Sequence, residues 1–166
     1  MNWNNSAARQ IFDNWEVSTI ITAESGEPFT VTTGTDNSLT GEQQDRPNLV
    51  GTQALSTSRP KNQKLAEYFN IHAYVANPIG TFGNLGRDTL IGPGLADVDF
   101  GIFKNFPMWE KTRLQIRFEA FNLFNRPNFG EPDSSLVDQG LGEVLSAVSG
   151  AAGAGRIIQI GGKFTF

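Results

Sequence analysis

Gly94-Leu95-Ala96-Asp97-Val98-Asp99-Phe100-Gly101-Ile102-Phe103-Lys104-Asn105-Phe106, followed by the turn Pro107-Met108-Trp109-Glu110 and then by Thr112-Arg113-Leu114-Gln115-Ile116-Arg117-Phe118-Glu119-Ala120-Phe121-Asn122-Leu123-Phe124, is the stretch that decides the fold. In its first half Ala96, Val98, Phe100 and Ile102 recur at every second position, with Lys104 near the end, while Asp97, Asp99, Gly101 and Asn105 fall between them. In its second half Leu114, Ile116, Phe118 and Ala120 alternate with Arg113, Gln115, Arg117 and Glu119. A period of two is the signature of a strand with one apolar and one polar side. Two such runs joined by a short turn form an antiparallel hairpin.

Moving outward, the same alternation recurs on both sides. Residues 14–33 place Trp15, Val17, Thr19, Ile21 and Ala23 on one face and Glu16, Ser18, Ile20, Thr22 and Glu24 on the other. Within this run Ser25-Gly26-Glu27-Pro28 predicts a bend or bulge, since Pro28 has no amide to donate and Gly26 no side chain to pack. The last strand is expected over residues 156–166, where Ile158, Ile160, Phe164 and Phe166 oppose Gln159, Lys163 and Thr165, with Ile157 the exception. Between these strands lie long connections, residues 34–93 and 125–155, rich in Gly, Pro, Asn and Ser. The first carries one short helix signal near Gln63 to Phe69, and the second closes on the small-residue run Ser149 to Gly155. Residues 1–13 read as a lead-in, and 14–166 as one all-β segment with four strands, at about 14–33, 94–106, 112–124 and 156–166.

Composition narrows the function. The 166 residues contain no cysteine, which removes disulfides, thiolate metal sites and cysteine nucleophiles. Thirteen Lys and Arg against 17 Asp and Glu give a net charge of -4, the wrong sign for a protein that grips phosphate backbones, so nucleic acid is not an expected partner. No apolar run reaches the ~18 residues of a transmembrane helix, and Met1 to Ser6 lack the basic end and apolar stretch of a signal peptide. The expectation is a chain that stays inside or a piece of something larger.

Strands of about 11–13 residues are long for a globular domain, where the mean is about 5–6. They suit a tilted crossing of a bilayer, and the long, short, long order of the connections suits a membrane barrel. Asp97, Asp99, Arg113, Gln115, Arg117 and Glu119 would then face a wet lumen, and any register that keeps the faces together leaves Arg117 opposite or diagonal to one of the aspartates. A soluble β-sandwich also alternates, because one face of each sheet packs on the other sheet. Periodicity alone leaves both architectures open.

Several segments resemble the C-terminal end of TonB-dependent outer-membrane receptors, in particular the Oar-like, carboxypeptidase-regulatory-like-domain-containing family of Acidobacteria type. They are Trp15 to Ser18 with Glu24 to Val31, Tyr68-Phe69-Asn70 with Ala73-Tyr74, Gly80 to Arg87, Gly92-Pro93-Gly94 through Val98-Asp99, Phe103 to Phe106, and Arg117 to Phe129. Residues 156–166 also resemble the terminal strand that the outer-membrane assembly machinery reads, with Phe164 and Phe166 as the assembly signal. The resemblance implies a noncatalytic barrel-wall segment in the bacterial outer membrane, taking part in uptake of a large substrate with energy reaching it indirectly through TonB. Its partners would be outer-membrane lipid and the remainder of the barrel, or a second copy. Receptors of this kind close about 22 strands around a plug, so four strands imply a fragment whose open edges need partners. Outside a membrane the expectation is self-association, or residues 34–93 folded back over the apolar face.

The residues offer little chemistry of their own. His72, the one histidine, sits in a loop without a second histidine or a cysteine to build a site, and no cofactor, metal or phosphate loop is implied. Asp97 and Asp99 lie two apart on one strand face, which offers two carboxylates as a glycosidase pair requires, but nothing places them across one bond. Asp36, Glu42, Asp45 and Asp88 lack the spacing of a calcium loop. Trp15 and Trp109, with Phe106 and Phe124, read as an interfacial aromatic girdle. Two rival functions stay in view: a soluble β-rich module binding carbohydrate through Trp109 or Tyr74, and a small carboxylate-dependent hydrolase.

Overall fold

The structure, a computed structural model, describes residues 11–109, 112–148 and 155–166. Most of the lead-in, the turn residues 110–111 and most of the small-residue run 149–155 lie outside the described residues, as does the side chain of Trp109. Two compact units emerge: residues 1–23, 96–128 and 149–166 form one, and residues 24–95 and 129–148 the other.

The first unit holds a four-stranded sheet. Its strands are β1 (Trp15–Glu24), β6 (Leu95–Trp109), β7 (Thr112–Phe121) and β8 (Ile157–Thr165), hydrogen-bonded in that order. β6 and β7 are antiparallel, as are β7 and β8. The link between β6 and β7 is two residues long and brings Trp109 opposite Thr112, with a register shift between Pro107 and Trp109. From there the rungs run Phe106–Leu114–Phe164, Lys104–Ile116–Gly162, Ile102–Phe118–Ile160 and Phe100–Ala120–Ile158 on one face. The alternate rungs are Asn105–Gln115–Lys163, Phe103–Arg117–Gly161 and Gly101–Glu119–Gln159. The sheet therefore sorts apolar from polar side chains across three strands, as the period of two requires, with Lys104 the exception on the apolar face and Phe103, Phe121 and Ile157 the exceptions on the polar one. The connection from β1 to β6 is long, that from β6 to β7 is two residues, and that from β7 to β8 is long again.

Three strand boundaries differ from the sequence expectation. Residues 107–109, read as part of the turn, continue β6 to Trp109, with Pro107 paired to Arg113. The run over 14–33 splits into β1 and a separate β2 (Pro28–Phe29), which pairs not with the large sheet but with β5 (Leu90–Ile91). Gly26 marks the break: a Cβ there would lie 1.7 Å from the carbonyl oxygen of Gly92, so the two backbones meet where only glycine fits. The expected strand to Phe124 stops at Phe121, because Asn122 takes a left-handed backbone with φ 50°.

The second unit is built from the two long connections. Besides β2–β5 it contains β3 (Asn48–Leu49) paired with β4 (Tyr74–Val75), the short helix α1 (Lys61–Ala66) and a 3-10 turn at Ile71–Ala73. Phe29, Val31, Phe69, Ala73, Tyr74 and Leu85 form its buried core, and the Phe69 ring meets Tyr74 edge-on at 5.6 Å. Leu136 and Leu141 of the second connection pack on that core. Backbone bonds join the connections directly: Tyr68 N–H donates to Gly142 O at 2.7 Å, Val144 N–H to Leu65 O at 2.8 Å, and Leu136 N–H to Thr32 O at 2.9 Å. The sequence reads as two separate loops, but the structure makes them one folded body. Burying six apolar residues offsets part of the large entropy cost of ordering so much irregular chain.

Gly83 shows how tightly this body is drawn. A Cβ there would sit 1.8 Å from the Arg46 carbonyl oxygen, next to the bond from Leu85 N–H to Pro47 O. Gly83→Ala must push those backbones apart, at a cost of about 1–3 kcal/mol. Native-state hydrogen exchange should then speed up at the Leu85 amide by about tenfold or more, and an unchanged rate would show that the approach is looser than described.

Candidate functional site

The candidate site is the large sheet, with its two faces and the end where the long connections leave. On the apolar face the side chains are open to the outside. Ile21 is 72% exposed, Ile160 75%, Ile116 45% and Phe118 37%. Lys104 is the polar exception on this face, and it is 5% exposed. Its ammonium donates to the carbonyls of Ile11 and Asp13 and stands 4.9 Å from the Trp15 ring and 5.5 Å from the Phe106 ring. Backbone acceptors and aromatic faces together replace the water a buried ammonium loses. Trp15 thus does more than mark a strand end, which its place in a girdle alone would not reveal.

The polar face holds the six residues singled out from sequence. Asp97 and Asp99 on β6 share it with Arg113, Gln115, Arg117 and Glu119 on β7. Gln115 Nε2 donates to Asn105 Oδ1 at 3.0 Å across the rung. Arg117 does not meet an aspartate. The register beyond the shift at Pro107 to Trp109 sets it opposite Phe103, whose ring lies 5.1 Å from the guanidinium, and its ion pair is with Glu119 on its own strand at 3.3 Å. Gly161, on the other side of Arg117, leaves room for that side chain to lie across β8. The sequence reading missed Phe103 as a partner because a single aromatic among polar neighbours carries no sign of what will sit over it.

A second feature, at the start of the loop after β7, ties three strands together. Asn122 is 1% exposed. Its Nδ2 donates to Arg126 O at 2.9 Å, its Oδ1 accepts from Arg126 N–H at 2.9 Å, and its own N–H donates to Asp99 Oδ1 at 3.0 Å. Asn125 Oδ1 accepts from Arg156 N–H at 2.9 Å just before β8, and Asn128 Oδ1 accepts from Ala96 N–H at 3.0 Å at the start of β6. The three asparagines of Asn122 to Asn128 are a clasp: their short amides bond local backbone and two of them tolerate the left-handed conformation. This accounts physically for the segment that carries the strongest family resemblance.

The other sequence candidates are placed as follows. His72 is exposed in the 3-10 turn, and only its backbone N–H is engaged, by Asn70 Oδ1 at 3.2 Å. Asp99 is spent on Asn122, and Asp97 is its neighbour along one strand rather than its opposite across a cleft. The loop carboxylates serve their own turns. Asp36 accepts from the amides of Thr40 and Gly41, Asp88 accepts from Thr30, and Asp45 accepts from both the amide and hydroxyl of Ser38. The bonds from Ser38 hold the Asp45 carboxyl below its ordinary range. Among the described residues no three His, Asp or Glu side chains gather as a metal site. Tyr74 is buried, with its hydroxyl accepting from Gln53 at 3.0 Å and its pKa raised by that burial. It therefore cannot present its ring to a saccharide.

Long antiparallel strands, apolar on one side and polar on the other, joined alternately by long and two-residue links, define the wall of a membrane β-barrel. A family model for an outer membrane beta barrel domain matches residues 1–159. The chain belongs to that family, and its location is the bacterial outer membrane. No curated protein and no solved structure matches it.

Asn122→Gly keeps the left-handed backbone and deletes the side-chain bonds. It should lower stability by about 1–3 kcal/mol, because Arg126 loses both of its backbone partners. Urea unfolding in detergent would read this as a lower midpoint, and a loss below about 0.5 kcal/mol would mean the clasp is incidental.

Proposed function

We propose that the chain is a noncatalytic stretch of wall in a TonB-dependent transporter, with Asp97, Asp99, Arg113, Gln115, Arg117 and Glu119 toward an aqueous lumen and the opposite face toward lipid. The single observation that carries this reading is the sorting of side chains in register over β6, β7 and β8, with Ile116, Phe118, Ile158, Ile160 and Phe164 exposed on one face and Ile157 the exposed exception on the other. Exposed apolar surface of that extent is costly in water and neutral in hydrocarbon. Among the described residues β1 and β8 each have one unpaired edge, which in a bilayer must be hydrogen-bonded to further strands. The remainder of the barrel is the natural supplier of those strands, and a second copy of the chain is the alternative. The ending Lys163-Phe164-Thr165-Phe166, with Phe164 and Phe166 rings 6.4 Å apart, supports a role as the segment engaged by the assembly machinery. The TonB-dependent and Oar-like assignment rests on the sequence resemblance, as does a large substrate.

Spin labels placed one at a time along 112–120 in a lipid-reconstituted sample test the wall reading. Labels at 113, 115, 117 and 119 should be relaxed by a water-soluble reagent, and those at 114, 116 and 118 by oxygen dissolved in the bilayer. A period near 3.6, or equal access on both faces, would defeat it. For the transport reading, uptake by cells carrying the chain within its barrel should stop when TonB is deleted, and uptake that persists would reject it.

A further inference from the structure

The loop unit contains a cavity of about 370 Å³ that no role of the sheet requires. Leu55, Phe69, Leu90 and Ile91 give it apolar walls, and Arg59 and Lys64 stand on its lining. Its size falls in the range of small-molecule pockets, about 300–1,000 Å³, and an apolar wall with a few fixed polar groups is their usual make-up.

The charge around it is unusual for this chain. The protein carries a net charge of -4, yet no acidic residue lies between Asp45 and Glu67, and that stretch holds Arg46, which donates to Leu85 O at 2.8 Å, and Arg59, Lys61 and Lys64. Lys61 is directed elsewhere, with its ammonium 4.9 Å from the Phe129 ring. Among the described residues neither Arg59 nor Lys64 is in an ion pair. Arg59 is nonetheless held in place: its Nε donates to Ser56 O at 3.2 Å and its Nη1 to Gln63 O at 3.5 Å. These two carbonyls orient the guanidinium and leave Nη2 available to a carboxylate. A nearby ammonium adds attraction for the same negative charge.

We propose that this pocket binds a small organic anion, with an apolar body about the size of a fused bicyclic ring against Leu55, Phe69, Leu90 and Ile91 and a single carboxylate at Arg59 and Lys64. The site lies wholly within the loop unit and does not depend on the transport reading.

The test uses 2-naphthoate as the probe, with its neutral counterpart 2-naphthylmethanol, and the full chain in detergent followed by amide NMR. Naphthoate should shift the Leu55, Thr57, Phe69 and Ile91 amides saturably, with an affinity about tenfold or more above that of the alcohol. The double variant Arg59→Ala/Lys64→Ala should bind naphthoate no better than the alcohol, while the Val50 and Leu85 amides keep their positions and so report an intact unit. The charge-retaining Lys64→Arg should bind naphthoate as the parent does. Absence of saturable shifts, equal affinity for acid and alcohol, or undiminished binding by the double variant would each overturn the proposal.

Discussion

The two-residue link between Trp109 and Thr112, with the one-residue register shift at Pro107 to Trp109 that follows it, is the constraint on which the sheet depends. In a strand pair the side chains alternate strictly, so a slip of one residue would carry Leu114, Ile116 and Phe118 to the polar side and Arg113, Gln115 and Arg117 to the apolar side. A long loop would tolerate such a slip. A two-residue link confines it to one place, the irregularity between Pro107 and Trp109, and once β7 is set against β6 beyond that point the partners of β8 follow, down to Gly161 beside Arg117 and Gly162 beside Ile116. The register also decides electrostatics: it removes Arg117 from the aspartates and gives it an aromatic ring and an in-strand carboxylate.

At the opposite end of the strands the problem is different, because long connections leave there and exert no hold on register. The asparagine clasp meets that need with backbone bonds near the beginnings of β6 and β8 and the end of β7. Each such bond contributes only about 1 kcal/mol, but together they satisfy amides that would otherwise be orphaned where the ladder stops. Short link and clasp thus fix the same hairpin from its two ends.

The alternation over 95–121 and 157–165 was legible because one face of each strand meets a uniform environment, which is what imprints a period of two. Gly26 and Pro28 were legible as a disruption, although not as the point where the chain leaves one sheet for another: that depends on Gly92, more than sixty residues away, approaching the same backbone. The folded body made by the two connections was not legible, since Phe29, Phe69, Tyr74 and Leu85 come from distant places and share no period. Pairing of Arg117 with Phe103 escaped for a related reason. Periodicity names the face a residue occupies, and only register names its neighbour. Tyr74 carried a misleading signal, as an aromatic in a polar loop looks like a ligand platform until its burial is known.

The joint origin of the loop body has a consequence for anyone exchanging parts between relatives. Its core and backbone bonds draw on both the β1–β6 and β7–β8 connections, with Leu136 and Leu141 packed on residues from the first and Gly142 bonded to Tyr68. A graft of residues 25–94 without 129–148 would transplant half of an interior. The two connections form one unit of exchange, divided in the gene by the β6–β7 hairpin, and drift at positions such as Ile71 and Gly142 should be correlated across that gap.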